Sequence, residues 1–214
     1  MPHPKIYFYD SADEQAKTLS EQITDRLLSD IKERGKALLI LAGGSSPRKL
    51  ISLLAKTKLS WDKIKITVTD ERCVSLESKD SNVGQIIRLF LEQGVAINPI
   101  TLTQENVESL DFPATVTVLG MGLDGHTASL FPNQSHSCGD ALLVDALAPA
   151  EPKARKSLSM EALIDTKYLV LLVNGQDKWD ICRNVIEGKN KELPVSKLFH
   201  LAKEKLSLCV CITK

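Results

Sequence analysis

The sequence predicts an α/β fold built on a mainly parallel sheet. Short continuous apolar segments alternate along the chain with amphipathic stretches, and glycine and proline separate the two kinds of segment. Strand, loop and helix in repeated succession are typical of a parallel sheet with crossover helices. Of the 214 residues, 43% are hydrophobic and 25% are charged, which is an ordinary globular composition. No linker divides the chain, so we expect residues 1–214 to form one domain.

The strand candidates are apolar or β-branched runs that are too short to be helices. Residues 37–42, ALLILA, are apolar without interruption, as in a parallel strand that is buried on both faces. Residues 168–174, YLVLLVN, have the same character. In chain order, the expected strands are 6–9, 37–42, 65–69, 115–120, 168–174 and 206–212.

The helix candidates lie between these strands. The first has Ser11 as a potential cap and Glu14 three residues further on, which is the spacing of a capping box. Pro47 favours the first turn of the second helix. In chain order, helices are expected over 11–33, about 47–55, 82–92 and 175–188.

Charge and cysteine content exclude several classes of function. The 27 Lys and Arg residues balance 27 Asp and Glu residues, and without a basic block we expect no nucleic-acid partner. No run of about 18 apolar residues could cross a membrane, and residues 1–15 lack a signal-peptide layout, so we expect a cytoplasmic protein with no membrane partner. An odd number of cysteines without a CxxC pair favours free thiols over disulfides or a zinc site. The cysteines are Cys73, Cys138, Cys182, Cys209 and Cys211.

Polar or glycine-rich loops directly follow four of the expected strands. In a parallel sheet the ligand crevice lies beyond the carboxyl ends of the strands, so we expect these loops to share one site. The four loops are GGSSP at 43–47, DERCV at 70–74, GMGLDGHTAS at 120–129 and NGQDK at 174–178.

The loop at 43–47 has the residue types of an anion site. Gly43 and Gly44 allow a sharp turn and a close approach of ligand to backbone. Ser45 and Ser46 offer hydroxyl groups at the start of the next helix, where free amides favour a phosphate. The alternative is a tight turn in which a serine caps that helix.

Three charged residues, Asp70, Glu71 and Arg72, directly follow a buried strand. The Arg72 guanidinium can bind a phosphate or a carboxylate through two parallel hydrogen bonds. The two carboxylates can orient this arginine or accept hydrogen bonds from nearby backbone amides. The alternative is a solvated loop without a ligand.

The segment GMGLDGH allows two interpretations. It matches the GxGxxG fingerprint of a dinucleotide site, and Asp145 follows at a suitable distance. However, the next helix would have to end by Pro132, which is short for such a site. We favour the second interpretation, in which His126 accepts a proton near neutral pH beside Asp124 and glycine amides face an oxyanion.

Two further cations lie in positions that could complete an anion pocket. Arg155 belongs to the basic cluster PKARK, and Lys178 lies near the start of the helix that follows a strand. The alternative for each residue is a solvated surface charge.

At residues 120–132 the chain is similar to a known family. GMGLDGHTASLFP resembles the signature of the 6-phosphogluconolactonases, which form one family with the glucosamine-6-phosphate deaminases. The resemblance covers most of the chain, although the C-terminal LSLCVCITK lacks the family's aromatic–aspartate ending. The other matching elements are LAGGSSP, TDERCV, Asp80-Ser81-Asn82, Arg155 before Ser157-Leu158-Ser159, and GQDK.

The resemblance implies a three-layer Rossmann-like fold, shared with sugar-phosphate deaminases and isomerases. It also implies hydrolysis of 6-phospho-D-glucono-1,5-lactone to 6-phospho-D-gluconate, the second step of the oxidative pentose phosphate pathway. No metal or cofactor is implied. The expected partner is a small sugar-phosphate lactone, bound by a monomer or a small homo-oligomer.

These two lines of argument assign roles to twelve residues. We expect His126 to be the general base, Asp124 to orient it, and Arg72 or an amide near Gly122 to stabilise the oxyanion. The residues expected to bind the substrate or its phosphate are Gly43, Gly44, Ser45, Ser46, Asp70, Glu71, Gly122, Arg155 and Lys178.

Two other functions are compatible with this fold. One is a sugar-phosphate deaminase or isomerase, but the deaminases continue after the histidine with an aromatic residue, Asn and Glu, where this chain has Ser129-Leu130-Phe131-Pro132. The other is a non-catalytic sugar-phosphate sensor. Such sensors usually carry a helix-turn-helix, and the first strand begins too near residue 5 to leave room for one.

Overall fold

The structure is a computed structural model that describes residues 4–134 and 141–212. Its helices and strands follow the predicted alternation. In chain order they are β1 (Lys5–Phe8), α1 (Ala12–Arg34), β2 (Ala37–Leu41), α2 (Arg48–Ala55), β3 (Ile64–Val68), β4 (Asp70–Arg72), α3 (Asn82–Leu91), α4 (Gln104–Glu108), β5 (Ala114–Leu119), β6 (Leu143–Leu147), β7 (Ala154–Leu158), α5 (Met160–Ile164), β8 (Thr166–Asn174), α6 (Gln176–Ile186), α7 (Pro194–Ala202) and β9 (Leu206–Cys211).

The central sheet contains six strands in the order β1-β9-β8-β5-β2-β3. Every neighbouring pair is parallel, as the uninterrupted apolar segments predict. Strands β2, β5 and β9 are buried along their whole length, because helices cover both faces of the sheet. The divergent C-terminal segment therefore forms an interior strand of the sheet, between β1 and β8.

The helices form a layer on each face of the sheet. Helix α1 packs against α2, and α2 packs against α3, while α7 packs against both α5 and α6. The predicted three-layer α/β fold is thereby confirmed.

A second, antiparallel sheet of three strands has the order β4-β7-β6. It was not predicted, because its strands are short and carry charged residues. The DER segment is strand β4 rather than a solvated loop, and it pairs with β7 so that Arg72 lies opposite Arg155. This pairing brings together two cations that are far apart in the sequence.

The helix ends confirm one capping prediction and contradict another. The Ser11 hydroxyl accepts a hydrogen bond from the Glu14 amide, which caps α1 as expected. Helix α2 begins at Arg48, with Pro47 in the cap position and no side-chain capping bond. The alternative in which a serine caps this helix is therefore contradicted, because Pro47 occupies the cap position.

The cysteines of the described residues are all free thiols, as predicted. Cys73 is exposed, whereas Cys182, Cys209 and Cys211 are buried; Cys138 lies outside the described residues. Burial raises the pKa of Cys182 and of Cys209 to about 12. None of the helices in residues 4–134 and 141–212 is long and apolar enough to span a membrane.

Candidate active site

A cavity of about 220 Å³ opens where the direction of the chain reverses across the sheet. After β2 the chain continues to β3 on one side, and after β5 it continues to β8 on the other. Such a reversal leaves a crevice between the two loops at the carboxyl ends of the strands, which is the usual ligand site of this architecture. The cavity is lined by Ala42, Gly43, Gly44, Ser45, Ser46, Pro47, Thr69, Asp70, Arg72, Asn82, Gly120, Met121, His126, Ala128 and Lys178.

The loop at 43–47 forms one wall of this cavity. Gly43 must be glycine, because a side chain there would overlap Asn82. Gly44 has a positive φ of 85°, which favours glycine for a different reason. Within the described residues, neither the backbone N–H groups nor the hydroxyls of Ser45 and Ser46 make a hydrogen bond. The loop therefore presents unused donors to the cavity, as a phosphate site requires.

Glu71 does not line the cavity. One of its carboxylate oxygens accepts hydrogen bonds from the amides of Arg72 and Asn82, each at 2.7 Å. The other accepts from the Ser81 hydroxyl at 2.9 Å and the Val83 amide at 2.8 Å. This carboxylate satisfies the N-terminus of α3, where a negative charge is favourable. Glu71 was predicted to bind the substrate. Its carboxylate has a structural role instead, because it already accepts four hydrogen bonds.

Asp70 is buried at the cavity wall and is also engaged. Its carboxylate accepts hydrogen bonds from the hydroxyls of Thr69 at 2.9 Å and Ser129 at 2.6 Å. Its backbone carbonyl accepts from the Asn82 side-chain amide at 2.7 Å. Asp70 thus holds the loop after β5 and the start of α3 against the end of β3.

Arg72 points its guanidinium along the cavity. One terminal nitrogen donates to the Asp80 backbone carbonyl at 2.6 Å, and the buried Nε has no hydrogen-bond partner in the described residues. A buried donor without a partner is costly, and a ligand oxygen would satisfy it.

Arg155 lies beside Arg72 and is only 9% exposed. Its Nε is buried and unpaired, and no hydrogen bond connects its guanidinium to another residue within 4–134 and 141–212. Burial, and then the charge of Arg72, lowers the pKa of this guanidinium. Two adjacent arginines with unpaired donors form a strongly positive site for an anion.

His126 and Asp124 form a hydrogen-bonded pair at the mouth of the cavity. The Asp124 carboxylate oxygen lies 2.5 Å from His126 Nδ1, and it also accepts from the His126 amide at 3.2 Å. The imidazole packs against the Phe131 ring at a centroid distance of 4.8 Å. With Nδ1 held by the carboxylate, Nε2 is the nitrogen left to exchange a proton with a ligand.

Gly122 supports this pair sterically. A side chain at Gly122 would overlap the His126 ring and press on Asp124. The Gly122 amide donates to the His126 carbonyl at 3.0 Å and so closes the turn. The Gly122 amide itself is therefore used by the turn, and an oxyanion donor among the amides near Gly122 stays a prediction.

Lys178 completes the cavity from the side of β8. It lies in the first turn of α6 and lines the cavity. Burial lowers the pKa of its ammonium group, and no acidic partner contributes. The cavity lining therefore combines two cations, Arg72 and Lys178, with a loop of free donors, and Arg155 lies next to Arg72 outside that lining.

Sequence reasoning missed three residues that hold this site together. Asn82 lines the cavity, and Ser129 holds Asp70. Gln85 forms hydrogen bonds with Gly44. The match at Asp80-Ser81-Asn82 was the available signal for Asn82, whereas nothing in the local sequence indicates Ser129 or Gln85.

Two interpretations based on other ligands find no support in the geometry. No helix follows the glycines of residues 120–126 before residue 134, so the dinucleotide fingerprint lacks the helix that it needs. In the described part of the chain, no group of three or more His, Cys, Asp or Glu side chains is placed to hold a metal ion.

Comparison with known proteins places the chain among sugar-phosphate enzymes. The family model for glucosamine-6-phosphate isomerases/6-phosphogluconolactonase matches residues 10–208. A 6-phosphogluconolactonase of Pseudomonas putida is 32% identical, over 92% of this chain and 89% of that protein. The enzyme of that name from Pseudomonas aeruginosa is 34% identical over 81% of each chain.

Solved structures agree with this result. A 6-phosphogluconolactonase from Shewanella baltica OS155 has a TM-score of 0.85 at 26% identity and covers 99% of this chain and 98% of its own. A putative 6-phosphogluconolactonase from Neisseria gonorrhoeae has a TM-score of 0.84 at 27% identity, with 97% and 99% covered. A monomeric glucosamine-6-phosphate deaminase reaches 0.77 at 20% identity, which is a likeness of fold alone.

Proposed function

Because the chain belongs to the family of glucosamine-6-phosphate isomerases and 6-phosphogluconolactonases, we propose that it hydrolyses 6-phospho-D-glucono-1,5-lactone to 6-phospho-D-gluconate. The relatives that carry the lactonase name cover most of the chain. The observation that carries the proposal is the pairing of His126 with Asp124 at 2.5 Å in a cavity that also contains the loop at 43–47.

In the proposed reaction, water attacks the lactone carbonyl. His126 Nε2 takes a proton from this water, while Asp124 holds Nδ1 and stabilises the imidazolium that forms. The tetrahedral intermediate then collapses, the bond from the carbonyl carbon to the ring oxygen breaks, and His126 returns its proton to that oxygen. The product is the open-chain carboxylic acid, which ionises in solution.

The cations around the cavity have two tasks in this reaction. Developing negative charge on the carbonyl oxygen requires a fixed donor, and the phosphate requires several. Arg72 and the donors of Ser45 and Ser46 line the cavity from the side of β2 and β3, and Lys178 lines it from the side of β8. Arg155 lies beside Arg72, outside the lining of the cavity. A substrate anchored by its phosphate presents its carbonyl to His126 in one orientation, which removes much of the entropic cost of the reaction.

The test is a hydrolysis assay with freshly prepared 6-phosphogluconolactone. We expect a rate well above spontaneous hydrolysis, and a kcat/KM at least about tenfold lower for the unphosphorylated lactone, since that substrate cannot use the phosphate contacts. Equal rates for the two lactones would contradict the assignment of the phosphate site. A rate equal to the background would contradict the proposed function itself.

Glucosamine 6-phosphate serves as the discriminating substrate in the same experiment. After His126 the chain continues through the buried Ser129 and Leu130 to Phe131, where the deaminases place a glutamate. We expect no release of ammonia from glucosamine 6-phosphate. Ammonia release in the absence of lactone hydrolysis would favour the deaminase alternative.

The depressed pKa of Lys178 predicts how phosphate binding depends on pH. A lysine whose pKa is lowered by burial loses its charge at a lower pH than a surface lysine does. Since 6-phosphogluconate is stable, its dissociation constant can be measured by calorimetry from about pH 7 to pH 10. We expect affinity to fall as the pH rises toward the pKa of Lys178, by about tenfold for one lost charged contact.

The Lys178→Arg variant is the matched control, because its guanidinium stays charged over this range. We expect its affinity to vary less with pH than that of the wild type. Parallel profiles for the two proteins would show that Lys178 does not carry the pH dependence.

A further inference from the structure

The side chain of Gln85 forms hydrogen bonds with one residue of the loop at 43–47, which is Gly44. The Gly44 amide donates to Gln85 Oε1 at 2.9 Å, and Gln85 Nε2 donates to the Gly44 carbonyl at 3.1 Å. The oxygen and the nitrogen of the Gln85 carboxamide are thus paired with the backbone N–H and C=O groups of Gly44. This arrangement copies the pairing of two extended strands, in which a residue exchanges two hydrogen bonds with its partner.

The loop has little else to hold it. Gly44 is exposed and adopts a positive φ, and no heavy atom outside its chain neighbours lies within 4 Å of where its side chain would be. The loop's own closing bond, from the Arg48 amide to the Ser45 carbonyl, is long at 3.3 Å. The serines do not cap α2. Without the contact to Gln85, this glycine would be free to populate other backbone conformations.

Helix α3, by contrast, provides a firmly held base for Gln85. Its N-terminus is capped by the Ser81 hydroxyl, which accepts from the Gly84 amide at 2.9 Å, and by the Glu71 carboxylate. Its buried face packs into the core through residues such as Ile86 and Phe90. A rigid connection therefore runs from β4 through α3 to the loop.

The contact also decides which amides of the loop can bind a ligand. The Gly44 N–H group is already bonded to Gln85, whereas those of Ser45 and Ser46 have no acceptor in the described residues. On this basis we infer that Gln85 is a positioning residue, which fixes Gly44 so that the amides and hydroxyls of Ser45 and Ser46 receive the phosphate of the substrate. This inference rests on the proposed function.

The test compares Gln85→Met with the wild type. Methionine keeps the length of the side chain but can neither donate nor accept in place of the carboxamide. Titration with inorganic phosphate, followed by the NMR amide signals of Ser45 and Ser46, should show a dissociation constant about tenfold higher, as for one or two lost hydrogen bonds. In the lactone assay, KM should rise by a similar factor while kcat stays within about twofold.

Two further variants complete the experiment. Gln85→Glu retains an acceptor for the Gly44 amide but places a carboxylate against the Gly44 carbonyl and near the phosphate, so its affinity for phosphate should be lower than that of Gln85→Met. Gln104→Met is the control, because the exposed Gln104 lies outside the cavity lining, on helix α4, where its side chain donates a hydrogen bond to Glu108 at 2.6 Å. It should leave both binding and kinetics unchanged.

The possible results separate this inference from the proposed function. Weaker phosphate binding by Gln85→Met supports the inference even if the wild type hydrolyses no lactone, a result that would overturn only the function. Unchanged phosphate affinity in Gln85→Met would overturn the inference, and so would a loss of kcat at constant KM. A lower Tm with equal losses of kcat/KM for phosphorylated and unphosphorylated lactones would also overturn it, because it would indicate a purely structural role.

Discussion

Replacing His126 with asparagine is expected to lower kcat by a factor of about 10²–10⁴, the usual cost of losing a general base. This loss corresponds to roughly 3–5 kcal/mol of activation free energy. Asparagine keeps a polar group beside Asp124 but cannot take up a proton near neutral pH. Since the phosphate contacts do not involve the imidazole, the dissociation constant of 6-phosphogluconate should change little. Steady-state kinetics and product calorimetry measure the two effects separately.

The control for this variant is His200→Asn. His200 is exposed in the last turn of α7 and does not line the cavity, so the same chemical change should leave kcat unaffected. If His126→Asn retained more than about a tenth of the wild-type kcat, the result would lie outside the range for a lost base. The role of base would then pass to Asp124.

Apolar patterning was sufficient to predict the central sheet. Strand β2 is an uninterrupted apolar run that is buried on both faces, and β8 has such a run from Leu169 to Val173. Runs of this kind are recognisable in the sequence because alternation is absent. Helices α1, α2, α3 and α6 were predicted from spacing and from local signals such as the Ser11 cap, whereas α4, α5 and α7 were not predicted. The loops at the carboxyl ends then followed from the geometry of parallel sheets.

The small antiparallel sheet could not be predicted in this way. Strand β4 is Asp-Glu-Arg, and its conformation is set by pairing with β7, more than eighty residues further along the chain. Tertiary pairing of this kind overrides local preference. Without the register, the proximity of Arg72 and Arg155 could not be derived from either segment alone.

Within the site, the types of residue could be predicted more reliably than their contacts. Glu71 was expected near the substrate, but four donors hold it at the start of α3. An amide near Gly122 was expected to face an oxyanion, and the amide of Gly122 itself is used by the turn that it closes with the His126 carbonyl. In both cases the backbone groups have to be satisfied first, and which side chain satisfies them depends on the tertiary fold.

Replacing Arg155 with methionine is expected to raise the stability of the protein and to lower its activity. The Arg155 guanidinium is buried without a hydrogen bond in the described residues, and burial and Arg72 lower its pKa, so the folded protein disfavours this charge. Arg155→Met replaces it with an apolar side chain of similar length. The free energy of unfolding should therefore rise, by an amount on the order of the 1–4 kcal/mol found where buried ion pairs are replaced by apolar residues. Chemical denaturation of both proteins measures this difference.

The same substitution should lower kcat/KM by a factor of about 10²–10³ if Arg155, as we propose, supplies charge-assisted hydrogen bonds to the substrate beside Arg72. A residue that lowers the stability of the protein but is needed for its activity belongs to a binding site. If Arg155 were a structural residue, its replacement would lower stability and activity together. Lys156→Met is the matched control: Lys156 is the next residue of β7, is 40% exposed and pairs with Asp145, so both measurements should change little. If Arg155→Met were less stable than the wild type, the attraction of Arg155 to Asp70, Glu71 and Asp80, whose charges raise its pKa, would outweigh the cost of its burial. The arginine would then have a structural role instead of binding the substrate.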